Sequence, residues 1–214
     1  MKTQILKISV SAVAGLLLLG ATSASAITYS LNAPNAAISG YVGPYGFVNV
    51  TLVDSTHATI TFSGNTVGNY TFYFGGSQMA DVNVNATSFD VPTIDAPGTA
   101  QFPAGSGNVS EFGKFNVAID NSNASDITST VKFEVTNISG TWANDGSVLT
   151  DNNKDYLAAA HIIVHDVTGK QIDTGFAANA DSSHVVPDGG STMAMLGTGL
   201  LGLSFLRRKF GKKS

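Results

Sequence analysis

The segment Asp151-Asn152-Asn153-Lys154-Asp155 sets oxygen-bearing side chains at positions 1, 3 and 5 of a short loop, the order in which a calcium loop begins its coordination. Asp151, Asn153 and Asp155 are therefore the candidate ligands for Ca2+, and Asp145 is near enough in sequence to join an irregular site. The rest of an EF-hand is missing, because Tyr156 stands where glycine is needed and Ile162 where the bidentate glutamate should be. A solvated polar loop between two strands accounts for the same residues.

His161 and His165 have the i, i+4 spacing that binds zinc on a helix. The residues between them are Ile162, Ile163 and Val164, which favour a strand, and strand residues four apart lie roughly 13 Å from each other. That is too far for one ion with bonds near 2 Å. No cysteine and no Gly-x-Ser-x-Gly elbow offers a nucleophile, and the only glutamates are Glu111 and Glu134. A pair of glycosidase carboxylates need not be adjacent in sequence, so a secreted glycan hydrolase stays as a distant alternative. The sole tryptophan, Trp142, sits in Ser139-Gly140-Thr141-Trp142-Ala143-Asn144-Asp145-Gly146, near a turn. Exposed, together with Tyr73, it would stack on a sugar ring as in a carbohydrate-binding module; buried, it is core. No residue calls for an organic cofactor.

The elements that must position these residues are strands. In Phe47 to Val53, Val48, Val50 and Leu52 share one face, and in His57 to Phe62 the inward set is Ala58, Ile60 and Phe62. The same period of two groups Tyr70, Phe72 and Phe74, then Phe115, Val117 and Ile119, then Val131, Phe133 and Val135. Gly- and Asn-rich turns separate these runs, and the longest irregular stretch, Val91 to Ser110, reads as a crossover loop or flap. The expected class is all-β, an antiparallel β-sandwich or jelly-roll-like body.

The ends of the chain read differently. Residues 1–26 form a signal peptide, with Lys2 and Lys7 before the apolar run Ile8 to Leu19 and Ala24-Ser25-Ala26 as the site for signal peptidase. The body is expected over 27–183, and a C-terminal segment over 184–214. That segment holds Val186-Pro187-Asp188-Gly189-Gly190, an apolar run at about 191–206, and a basic tail at 207–214. As a helix, 16 residues span about 24 Å, short of the roughly 30 Å hydrocarbon core unless flanking residues or local thinning make up the difference. Arg207, Arg208 and Lys209 would act as stop-transfer cations on the cytoplasmic side. A single transmembrane helix with the body outside is the expected topology.

Charge agrees with export. Between Ile27 and Val186 the chain has fourteen acids against four bases, a net of −10, which repels nucleic acid and anionic lipid. The absence of cysteine means that the body relies on its core rather than on disulfides.

The pentapeptide Val186 to Gly190, the short apolar run and the Arg-rich end resemble the PEP-CTERM sorting signal in its VPDGG/VPDSG-like variant. Pro187-Asp188-Gly189 replaces Pro-Glu-Pro, which leaves the matching enzyme and the bond it cuts open. The stretches Val82 to Phe89 and Leu157 to Asp166 are also similar to stand-alone PEP-CTERM proteins. The resemblance implies an exosortase-type partner, transient residence in the inner membrane, and a place on the cell surface or in an exopolysaccharide biofilm matrix. It implies no catalytic residues.

Overall fold

The structure is a computed structural model that describes residues 26–74, 80–96, 100–101, 107–121, 126–179 and 186–187. The signal peptide through Ser25, the run at 191–206, the cations Arg207, Arg208 and Lys209, and Asp188, Gly189 and Gly190 lie outside these residues. So does the side chain of Tyr73.

Among the described residues fifteen strands run in chain order: β1 Ala26–Pro34, β2 Gly46–Leu52, β3 His57–Gly64, β4 Tyr70–Phe74, β5 Ala80–Val82, β6 Phe89–Asp95, β7 Ala100–Gln101, β8 Gly107–Val109, β9 Gly113–Phe115, β10 Val117–Asn121, β11 Asp126–Thr128, β12 Thr130–Asn137, β13 Ala158–His165, β14 Gln171–Asn179 and β15 Val186–Pro187. Among the described residues the only helical turns are three short 3-10 segments, and no helix is long and apolar enough to cross a membrane. Every described pairing is antiparallel.

Thirteen strands join in one sheet along the path β6-β12-β3-β2-β1-β14-β13-β5-β10-β7, with β4, β11 and β15 attached beside it and β8-β9 forming a separate hairpin. The sheet folds back on itself. Phe62 of β3 meets Phe72 of β4 with ring centroids 6.2 Å apart, although β4 is hydrogen-bonded to β13 on the far side of β1 and β14. Alternation drives this closure, because Val48 and Val50, Ala58, Ile60 and Phe62, and Val131, Phe133 and Val135 all enter one core.

β13 departs from simple alternation because both of its faces are covered. Ala158, Ala160, Ile162 and Val164 enter the main core, while Ala159 on the opposite face joins Val109, Phe112 and Phe115 of the β8–β9 hairpin and Ala178 of β14. The small alanines let the hairpin's aromatic rings lie close over the sheet.

Two expectations need correction. Phe115 does not share a face with Val117 and Ile119: it packs with Val109 and Phe112 of its own hairpin against Ala159 and Ala178, and they pack in the main core. The chain breaks step at Asn116, whose side-chain carbonyl accepts from the Val84 N–H at 2.7 Å while its amide donates to the Val84 carbonyl at 2.8 Å. The stretch from Val91 is likewise no loop at its start, since β6 continues to Asp95 and pairs with β12. Pro92 is accommodated at the register shift opposite Val135, on the outermost strand of the path.

Candidate functional site

Two polar regions and the C-terminal signal compete for a functional role. The loop Asp151 to Asp155 precedes β13 and is organised by Asn152. Its carbonyl oxygen accepts from the N–H groups of Lys154 at 2.8 Å and Tyr156 at 3.2 Å, and its amide donates to the Phe112 carbonyl at 2.9 Å. Asn153 Oδ1 lies 3.4 Å from the Lys114 N–H, and Asp155 takes the left-handed conformation at φ 64°. The side chain of Asn153 thus faces the hairpin while the Asp151 carbonyl accepts from the Asn83 amide at 3.0 Å. Gly113, at φ 88°, allows the approach, because a β-carbon there would stand 2.7 Å from Asn153 Oδ1. The loop thereby clamps the β8–β9 hairpin over the sheet. Asp145 is buried elsewhere, accepting from the Leu52 N–H at 2.6 Å. Among the described residues no three His, Cys, Asp or Glu side chains converge on one point.

The second region is a groove of about 590 Å³ between Asn83 to Thr87 and Asn137 to Ala143. Its lining includes Asn83, Asn85, Asn116, Asn137, Ser139 and Trp142, and no lining residue is an acid or a base. Trp142 is 3% exposed and its indole N–H donates to the Asn85 carbonyl at 2.8 Å, so the ring is wall and core rather than a platform for a sugar. Much of the amide capacity holds backbone: the Asn85 amide donates to Ser147, and Asn116 clasps Val84. What remains is a shallow neutral surface suited to hydrogen-bonding uncharged hydroxyl-bearing ligands.

His161 and His165 sit in strand β13, as the residues between them suggested. His165 Nδ1 lies 3.1 Å from the Gly169 carbonyl and so carries the proton, leaving Nε2 to accept from the Thr71 hydroxyl at 2.7 Å. His57 pairs with Asp54 at the surface, and the Thr56 N–H followed by the His57 contacts holds the Asp54 carboxyl well below its usual range. His161 stacks on Phe176 with ring centroids 4.4 Å apart, and Thr174 Oγ1 lies 2.9 Å from its Nε2. Burial lowers its pKa to about 4.

That shift has a definite sign. Between the ordinary value of about 6.5 and the folded value of about 4 the unfolded chain takes up a proton that the folded chain refuses, so stability falls as pH drops through this window. The expected loss is up to about 3 kcal/mol by pH 4. Chemical denaturation at pH 7, 5.5 and 4 checks it, with His161→Gln expected to flatten the slope relative to the wild-type chain.

The C-terminal signal touches the body. Val186 and Pro187 form β15 and pair with Thr28 and Ile27 on the edge of β1 that β14 vacates beyond Leu31. Residues 185–210 match the family model described as the VPDSG-CTERM motif, a variant of the PEP-CTERM sorting signal. The chain is thus an all-β protein carrying a PEP-CTERM-type tail, a signal for export and membrane-anchored transit toward the cell surface. No curated protein and no solved structure matches it.

Proposed function

We propose that this chain is a non-enzymatic protein of the cell surface or extracellular matrix, delivered by two successive cuts. Signal peptidase removes residues 1–26 after export. The apolar run 191–206 and the cations Arg207, Arg208 and Lys209 then hold the body outside the inner membrane, until an exosortase-type enzyme cuts within Val186 to Gly190. The observation that carries this reading is the match of residues 185–210 to the sorting motif. The body is a sandwich-like antiparallel fold whose sheet bends into facing layers around one core. A net charge of −10 beside a groove lined only by neutral groups fits association with an uncharged exopolysaccharide in a biofilm matrix. Among the described residues that line the groove there is no carboxyl pair of the kind glycoside hydrolysis uses, which is in line with this reading.

The test is the C-terminal mass of the protein recovered from the cell surface and the medium. The expected chain ends between Val186 and Gly190. A surface protein that still ends at Ser214 would replace this reading with permanent anchoring by one helix.

A further inference from the structure

The face of the sheet beneath the β8–β9 hairpin contains two acids among apolar side chains. Asp81, in the middle of β5, is 0% exposed, and neither of its carboxylate oxygens has a hydrogen-bond partner. Asp120 of β10 is half-buried, and its Oδ1 is also buried without a partner. In the β5–β10 register Asp81 is opposite Ala118, which places Asp120 two residues further along on the same face. Such diagonal neighbours lie roughly 7 Å apart. Gly107 of β8 closes over Asp81, so near that a β-carbon there would overlap its Oδ1. Ala159 of β13, which pairs with Asp81, packs with Val109, Phe112, Phe115 and Ala178.

An ionised Asp81, with the Asp120 carboxyl as its neighbour, cannot stay unpaired in such a place. No lysine or arginine answers them, since the one ion pair among the described residues is His57 with Asp54. A proton alone leaves the site unsatisfied as well. A neutral carboxyl keeps acceptor capacity that calls for a donor, and no group donates to either oxygen of Asp81. Three buried carboxyl oxygens that no donor reaches are instead what a divalent cation takes up.

We propose that Asp81 and Asp120 bind a calcium ion between the sheet and the β8–β9 hairpin. The donor chemistry selects a hard cation, as it is all oxygen with neither imidazole nor thiolate in the pair. Calcium suits it better than magnesium, because its flexible coordination number lets backbone carbonyls and water complete a shell that two side chains begin. The partly exposed Asp120 gives the ion its way in, and Asp81 is the anchor behind it. Without the ion, burial and then the charge of Asp120 hold the Asp81 carboxyl well above its usual range, so proton and calcium compete for the same oxygens. This site is separate from the Asp151 to Asp155 loop, whose Asn152 clamps the same hairpin from its other end.

The experiment is a thermal melt of the full-length chain in mild detergent, with calcium chloride or with EGTA. At about a hundredfold over Kd the midpoint is expected to rise by roughly 5–10 °C. Asp81→Asn and Asp120→Asn should each abolish the rise, and Asp151→Asn should keep it. Asparagine preserves the shape of each acid and removes its charge. If Asp81→Asn fails to fold, Asp120→Asn at the half-exposed position decides alone. No rise in the wild-type chain, a rise that survives Asp120→Asn, or one lost only in Asp151→Asn overturns the proposal.

Discussion

Trp142→Ala is expected to destabilise the body by about 3–5 kcal/mol, the range for deleting a buried aromatic side chain from a core that cannot collapse around the gap. Trp142 is 3% exposed, belongs to the main core, and satisfies the Asn85 carbonyl through its indole N–H. Two losses therefore add: the cavity, and a part-buried carbonyl left without its donor. Trp142→Phe separates them. It keeps most of the packing but cannot donate, so its cost is expected to be about 1–3 kcal/mol. Domains of this size hold about 5–15 kcal/mol in total, so the alanine variant sits near the edge of folding. Urea denaturation followed by circular dichroism measures both. A cost below about 1 kcal/mol for Trp142→Ala would mean that the ring faces solvent and is free to meet a ligand.

The second large effect concerns processing. Replacing Pro187 and Asp188 together with alanine is expected to leave insertion intact and to trap nearly all of the protein, full length, in the inner membrane. Hydrophobicity and positive charge stop translocation, and neither lies in Val186 to Gly190. Proline favours extended backbone and resists helix, whereas two alanines favour helix. Neutralising Arg207, Arg208 and Lys209 should act on the other half of the device, weakening retention or orientation while the cut site stays the same. Immunoblots of inner membrane, surface and medium, with the C-terminal mass of each form, distinguish the two. Normal release of the double alanine variant would remove Pro187 and Asp188 from recognition.

Much of the fold is legible in local alternation. Ala58, Ile60 and Phe62 of β3 and Val131, Phe133 and Val135 of β12 are buried as a period of two requires. The misreading of Phe115 has a physical cause. The pattern from Phe115 to Ile119 is unbroken, and what breaks it is a contact of Asn116 with Val84, 32 residues away. Pro92 hid a strand in the same way, because only the bulge opposite Val135 makes room for it. The sorting signal was fully legible, since its recognition rests on contiguous residues. The loop at Asp151 was legible as a turn, but its work is done by Asn152, the residue the 1, 3, 5 spacing skips. Asp81 was invisible as a site. Between Ala80 and Val82 it reads as the solvent side of a strand, and it is Gly107 of the hairpin that closes over it.

The pairing of β1 with β14 has a kinetic consequence. Leu31 is matched to Asn179 and Pro34 to Ala177, so the first strand of the body gains its second neighbour from nearly 150 residues later in the chain. Contacts of such long sequence separation form slowly, since the entropy of closing the intervening loop must be met before they contribute. A chain crossing a membrane from its N-terminus can close this sheet only once the last long strand has followed. Slow closure then keeps the polypeptide threadable throughout its passage, and the topology that stabilises the finished body also delays its completion until the body has arrived.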